Sequence, residues 1–544
     1  MSMSGPRGRT RGGRVGPAVL IISAVGLLAL AACTSSGSAA VAGSSQSAGS
    51  AHGTQSARAA QPAGSIIPAH STLHWHSCSG ELAQEGVPDC TMLSVPLNYA
   101  DPGGRHISLA LDMVPATAPQ SQQQGVLLGN PGGPGGDGLP IAAEVAQGIS
   151  PSVAADYDIV GFDPRGVGSS VPALSCDPSF FSGVRPNYIP ASSAAEQVLI
   201  NRAKMYAGDC EQKFGWLLPY MTTEDVARDM DSIRAAFGVA KINYYAFSYG
   251  TYIGEVYATL FPSRVRRMVL DSTVDPTGVW YNDNIAQDYA FQGRMEAFFA
   301  WVAKYDGTYH LGSTTAQVQA AWYKARNQLL AHPVEQMIGA DEFDDTFLQG
   351  GYLDELWPAL AQALSSYLNS GQTGGLVAQY QGNGTQNENE FAVYNAVQCS
   401  DVNWPRSWAY WTTDTEMVYQ KAPFQAWDNA WFNASCAFWP VHGPAKPLQV
   451  KGAGLPGILM LQCTGDPATP YAGAQDAHKL LPSARMVVVE GGGNHGQSLE
   501  QPSNSCVQGY LNAYLATGAL PKAPGLVNAT CPAVPDPTPG TSGG

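Results

Sequence analysis

Residues 244–254 read YYAFSYGTYIG. The stretch completes an apolar run, INYYAF (242–247), sets Ser248 at its end and Gly250 two residues on, then passes into GEVYATLFP (254–262) and a second apolar run, VRRMVLDS (265–272). Strand, helix and strand at this spacing form an α/β unit. A serine at the strand-to-helix turn fits the G-x-S-x-G elbow, in which a sharp backbone exposes a nucleophilic hydroxyl. Ala246 stands where the first glycine of that motif belongs. That glycine permits close packing of helix on strand, whereas the strained backbone belongs to the serine. One extra methyl therefore weakens the motif without breaking it.

A serine nucleophile of this architecture needs an acid after a later strand and a histidine after the last, in the order Ser, Asp, His. Asp466 follows GILMLQCTG, and His495 follows MVVVEGGGN. Alone, each reads as a turn or loop residue; three such residues in the required order after strands form a triad. His495 is the expected base, and Asp466 the group that fixes its tautomer. The loop Asn130-Pro131-Gly132-Gly133-Pro134-Gly135-Gly136, after GVLLG, supplies backbone amides for an oxyanion, expected from Gly133 N–H together with Tyr249 N–H. It lacks the lysine of phosphate-binding loops.

Outward from this unit, TMLSVPLNYADPGGRHISLALDMVPAT (91–117) alternates in short bursts broken by DPGG, the pattern of an antiparallel hairpin. GVLLGNPGGPGG and DYDIVGFDPRGVGSS each deliver a strand into a glycine-rich turn, as at the carboxyl ends of parallel strands. Asp163 and Arg165 in the second are read as a structural pair beneath the site. A helix is expected from Thr223 to Phe237, capped by Thr222 or Thr223, with Glu224 and Asp225 in its first turn. Residues 274–455 change character: aromatic, helix-patterned, and without a strand that has a glycine-rich exit. The expected fold is an α/β-hydrolase with a large, mostly helical inserted cap. Its core occupies 69–273 and 456–531, its cap 274–455, and a Pro-rich tail 532–544.

The amino-terminal segment reads as an address. Arg7, Arg9, Arg11 and Arg14 precede the apolar run PAVLIISAVGLLALAA, which ends at Cys33. Leu30-Ala31-Ala32-Cys33 resembles the bacterial lipobox, so residues 1–32 are read as a lipoprotein signal peptide and Cys33 as the lipidated residue. The Ser/Gly/Ala-rich stretch 33–68 reads as a flexible tether. The body is expected on the outer face of the cell membrane, with a shed form also considered. Without the leader, 24 Lys+Arg face 43 Asp+Glu, a net charge of −19. So acidic a body repels phosphate backbones, which argues against a nucleic-acid partner. Outside the cytoplasm, disulfides are expected. Sequence neighbours pair Cys78 with Cys90, Cys176 with Cys210, Cys399 with Cys436 and Cys506 with Cys531. Cys463 is left in an apolar run, as a small hydrophobe. No metal or organic cofactor is implied, and a monomer is expected.

The pieces CTMLSVPLNY, GNPGGPGG, YDIVGFDPRGVGSS, YMTTEDVARDMDSIRAAFG, INYYAFSYGTYIG, LFPSRVRRMVLDSTVDP, GDPATP and GGGNHG resemble the secreted tripeptidyl aminopeptidases of actinobacteria and related cell-envelope serine proteases. These are relatives of the prolyl aminopeptidases in the α/β-hydrolase superfamily. The resemblance runs from about residue 76 to 531. It implies the same nucleophile, acid and base, and a C-terminal module over about 436–531 that includes Cys436-Ala-Phe-Trp-Pro440. It also implies support of the acid loop by Thr469 in a D-x-x-T-P pattern. Family members carry glycine at the position of Ala246 and usually at that of Ser272; the second difference is expected to do little to the chemistry.

An aminopeptidase must recognise a free ammonium, which calls for acidic groups in a closed pocket. The expected carboxylates are Glu255 on the helix after the nucleophile and the cluster Asp341, Glu342, Asp344 and Asp345. The leading expectation is a serine exopeptidase that releases short peptides, tripeptides by resemblance, from free amino termini of peptides or proteins. The same triad hydrolyses esters, so a cell-envelope ester or lipid hydrolase is the alternative. An inactive binding lipoprotein is the third reading, should Ala246 prevent the elbow from orienting its serine.

Overall fold

The computed structural model describes residues 73–499 and 502–540. The expected signal peptide, Cys33 and the tether lie outside the described residues. Among those described, no helix is long and apolar enough to cross a membrane.

Ten strands form one sheet: β1 (His76–Ser77), β2 (Asp89–Pro96), β3 (His106–Val114), β4 (Gly125–Asn130), β5 (Tyr157–Phe162), β6 (Ile242–Phe247), β7 (Val265–Asp271), β8 (Ile458–Cys463), β9 (Ala484–Glu490) and β10 (Ala529–Pro532). Their spatial order is β1-β2-β3-β5-β4-β6-β7-β8-β9-β10. The β1/β2, β2/β3 and β3/β5 pairs are antiparallel and the other pairs parallel. The central strands β6 and β8 are buried along their whole length, as expected for strands covered on both faces. Helices cover those faces: Thr223–Ala236 and Tyr249–Leu260 on one side, and Ile141–Gly148 and Ser505–Thr517 on the other. Thr222 caps the first of these, its side chain accepting from Asp225 N–H. The short β10 sits in the Pro-rich carboxyl end, where periodicity gave no signal.

Between β7 and β8 the chain makes a long helical insertion with two kinds of packing. Its first part builds an apolar core of its own around Phe291, Phe298, Trp301, Trp322, Phe347 and Trp357. The later part, through Phe391, Trp404, Trp411 and Trp439, joins the core of the sheet. Four disulfides pair Cys78–Cys90, Cys176–Cys210, Cys399–Cys436 and Cys506–Cys531. Cys463 is in no disulfide; its thiol donates to Asn494 O at 3.2 Å, so it is more than a space-filler.

Asp163 and Arg165 do not pair with each other. Arg165 makes a buried, two-pronged ion pair with Asp229, at 2.7 and 2.6 Å. Asp163 instead accepts N–H bonds from Gly138, Leu139 and Ser169. The planar guanidinium finds its matching carboxylate across the helix interface, not two residues away.

Candidate active site

Ser248 joins β6 to the helix Tyr249–Leu260 with φ 55° and ψ −131°, a conformation that non-glycine residues rarely take. Such a backbone costs on the order of 1–3 kcal/mol and persists only where its surroundings fix it. Here Ser248 N–H donates to Asp271 O at 3.1 Å, and Thr251 donates to Ser248 O through both its amide (2.9 Å) and its hydroxyl (2.6 Å). The Ala246 methyl is taken up because the next turn carries no side chain. A Cβ at Gly250 would come within 3.1 Å of Ala246 Cβ and 2.6 Å of Asn130 Oδ1. The elbow therefore forms with alanine at its first position.

His495 Nδ1 lies 2.9 and 3.0 Å from the two Asp466 oxygens. Asp466 in turn accepts from Ala468 N–H (3.0 Å), Thr469 N–H (2.9 Å) and the Thr469 hydroxyl (3.0 Å). Thr469, of the D-x-x-T-P pattern, therefore holds Asp466 through both its amide and its hydroxyl. Burial works against a charged imidazole, but the Asp466 charge and its hydrogen bond outweigh it and hold the His495 pKa above 6.5. His495 Nε2 is buried and hydrogen-bonded to no described residue, Ser248 included. Such bonds often close only once substrate is bound.

Gly132 N–H donates to Asn130 Oδ1 at 3.0 Å, which turns the loop after β4 back toward the elbow. The approach is close: a Cβ on Gly132 would fall 2.9 Å from Ser248 Cβ. The next amide, Gly133 N–H, has no acceptor among the described residues, and Tyr249 N–H opens its helix, where no carbonyl lies a turn earlier. Both residues line the same cavity as Ser248 and His495.

That cavity has a volume of about 580 Å³, and its roof comes from the insertion. Its lining includes eight acidic residues, Glu144, Asp275, Asp283, Asp345, Glu355, Glu390, Asp428 and Asp476, and neither a lysine nor an arginine. Burial pushes Glu144 and Glu390 up to about 7. It also drives Asp428 well above its ordinary range, with the charges of Asp345 and Asp344 adding to the effect.

Of the acids singled out in the sequence, only Asp345 reaches the cavity. Glu255 is fully buried outside it, with neither carboxyl oxygen hydrogen-bonded, and burial holds it well above the carboxylate range. Its helix turns that side inward, so the group is a core residue away from the cavity. Glu342 is spent on Arg185 at 2.7 Å, and Asp341 and Asp344 on Arg326 at 3.7 and 2.7 Å. Asp345 also touches Arg185, at 2.7 Å. The acidic run is a buried ion-pair network that braces the cap, with one member on the cavity wall.

The family model described as alpha/beta hydrolase fold matches residues 125–501. The chain is 41% identical over 457 residues to the tripeptidyl aminopeptidase of Streptomyces lividans, covering 82% of this chain and 84% of that one. The chain belongs to the tripeptidyl aminopeptidase family of α/β-hydrolases. It is 32% identical to serine protease Hip1 of Mycobacterium tuberculosis over 482 residues, 82% of this chain and 89% of that one. To carboxylesterase B of the same organism it is 32% identical over 476 residues, with 82% and 88% covered. The protein is a serine peptidase.

Several residues of the peptidase site carry no signature in the sequence. Asp271, at the end of β7, accepts from Gln497 N–H and Ser498 N–H at 2.8 Å each and from the Ser498 hydroxyl. Ser272 accepts Gly496 N–H at 2.8 Å. The serine that departs from the family's usual glycine therefore fastens the histidine loop, more than the sequence reading allowed it. The cavity acids Asp428 and Glu390 were not singled out in the sequence: Asp428 is flanked by Trp427 and Asn429, and Glu390 follows Asn389 and Glu388 with no motif spacing.

Proposed function

We propose that this peptidase is an extracytoplasmic exopeptidase that removes short peptides, tripeptides in particular, from free amino termini. The observation that carries this reading is the lining of the cavity: eight acidic residues, no lysine and no arginine. The wall at Asp345 and Asp428 also includes Gln425, whose buried Oε1 has no hydrogen-bond partner. Asp345 is shared with Arg185, but Asp428 and the Gln425 oxygen have no cationic partner among the described residues and match an ammonium, which brings three donors and a positive charge. The tripeptidyl name of the Streptomyces relative supports the length of the released peptide. The leader, Cys33 and the tether support a lipid-anchored protein on the outer face of the cell membrane.

In this reading Ser248 Oγ attacks the scissile carbonyl carbon and passes its proton to His495 Nε2. Asp466 keeps the other imidazole nitrogen protonated and stabilises the cation that forms. Gly133 N–H and Tyr249 N–H receive the charge on the carbonyl oxygen. Collapse breaks the C–N bond, His495 returns the proton to the leaving amine, and the truncated polypeptide departs. Water, deprotonated by His495, then cleaves the acyl-serine ester.

A second reading, an ester hydrolase with the same triad, is favoured by the carboxylesterase relative. Both are tested with a tripeptide bearing a chromophoric amide leaving group, its amino end free or acetylated, beside a short-chain ester. The expected result is release from the free peptide, with the acetylated form slower by on the order of 10²–10³-fold, the cost of leaving a buried charge unpaired. Ser248→Ala should lower kcat by on the order of 10⁶-fold. Equal cleavage of both peptides would discard amino-terminal recognition, and turnover of the ester alone would move the assignment to esterase.

A further inference from the structure

His495 is held by the insertion as well as by the sheet. Its backbone N–H donates to Tyr352 O at 2.9 Å, and the Tyr352 ring meets its imidazole edge-on, centroids 5.6 Å apart. The residue before it, Asn494, is almost wholly buried and is gripped by two further groups of the insertion. Asn494 Oδ1 accepts from Asp354 N–H at 2.8 Å and from Arg294 Nη2 at 3.1 Å, while Asn494 Nδ2 donates to Asp354 Oδ1 at 3.1 Å. Arg294 is itself fixed: Nε donates to Gly351 O at 3.1 Å, and Cζ lies 4.9 Å above the centre of the Trp357 ring. Its guanidinium covers Gly493, where a Cβ would come within 2.0 Å of Nη1. From the core side, the Cys463 thiol and Gln497 Nε2 both donate to Asn494 O.

We propose that Asn494 is a positioning residue for His495, through which Arg294 and Asp354 of the insertion set where the base stands. The roof of the cavity is then part of the catalytic machinery at this corner, and it cannot lift here without moving the imidazole. A side-chain amide suits the role because it accepts from the arginine and the backbone N–H with one atom and donates to the carboxylate with the other. An aspartate of the same shape would keep the first contacts and set two carboxylates against each other at the second. The inference rests on His495 being the base.

The test uses the purified full chain and the free-amino chromogenic tripeptide, with active sites counted by burst titration. Asn494→Asp is expected to lower kcat by about 10–100-fold, the effect of misplacing a catalytic group by about an ångström, with KM within about threefold of the parent. Inactivation by an organic fluorophosphonate, which needs only Ser248 and its base, should slow by a similar factor. The double variant Asn494→Asp/Asp354→Asn restores a donor opposite the new carboxylate and should recover most of both rates. Should Asn494→Asp not fold, Asp354→Ala carries the test, with kcat expected about tenfold lower at unchanged KM. Parental kcat per titrated site in these single variants, or a double variant no faster than Asn494→Asp, overturns the proposal whatever happens to the melting temperature. His495→Ala separates the two readings. If it keeps activity, the base assignment and this inference fail together; if it is inactive while Asn494→Asp is not, only the positioning role fails.

Discussion

At the scale of single residues, the chemistry turns on how His495 titrates. Burial disfavours the imidazolium, and Asp466 more than compensates, so the folded pKa lies above the ordinary 6.5. As the proposed base, His495 must be neutral to accept the serine proton. The acid limb of kcat/KM is therefore expected to have its midpoint above 6.5, with activity rising as pH rises through it. The sign for stability is opposite. The charged pair stabilises the fold fully below the unfolded pKa, and that contribution is lost as pH rises through the folded pKa. In Asp466→Asn burial is opposed only by the weaker influence of the Asp271 charge, so the imidazole should titrate below 6.5, as followed by the NMR shift of its ring protons. A titration in that variant still above 6.5 would mean that another group sets the pKa.

Between elements, the decisive contact is that of β6 with the helix Tyr249–Leu260. In the G-x-S-x-G elbow, glycine at the first position leaves room between strand and helix; here alanine fills it, and the whole clearance falls to Gly250. A methyl there would meet Asn130 O at 2.9 Å as well as the Asn130 side chain and Ala246. Gly250→Ala is expected to destabilise the protein by about 1–3 kcal/mol, the usual cost of overpacking. Restoring Ala246→Gly in that background should return only part of the loss, since the Asn130 contacts remain. Denaturant melts of the parent and the two variants measure this; full recovery would show that Ala246 alone limits the packing.

For the molecule as a whole, charge and shape act together. The body is strongly acidic, and the insertion encloses acidic groups above the nucleophile with neither a lysine nor an arginine on the cavity wall. The Asp341–Asp345 run, the most conspicuous acidic feature of the sequence, is mostly neutralised by Arg185 and Arg326. In the proposed exopeptidase reading, recognition of an ammonium falls to the groups that have no such partner. Asp428→Asn is expected to raise KM for the free-amino tripeptide about tenfold or more, and to leave hydrolysis of a short-chain ester within about threefold. Equal losses on both substrates would remove Asp428 from amino-end recognition.

The sequence by itself determined what depends on local order along the chain. Strands with glycine-rich exits, a serine at a strand-to-helix turn, and Asp466 and His495 after later strands each leave a short, contiguous signature, because a parallel sheet brings its strand ends to one edge. The disulfide partners were also legible, as neighbours in sequence. Residues that act across the fold were not. Glu255 looks like a site acid in one dimension, yet its side of the helix faces the core. Ser272 looks incidental, yet it holds the histidine loop from a strand more than two hundred residues away. Asn494, Asp354 and Arg294 belong to three separate segments and share no spacing. Only the tertiary structure decided these roles, because burial and the pairing of charges depend on which surfaces meet in the folded chain, and no local pattern encodes that.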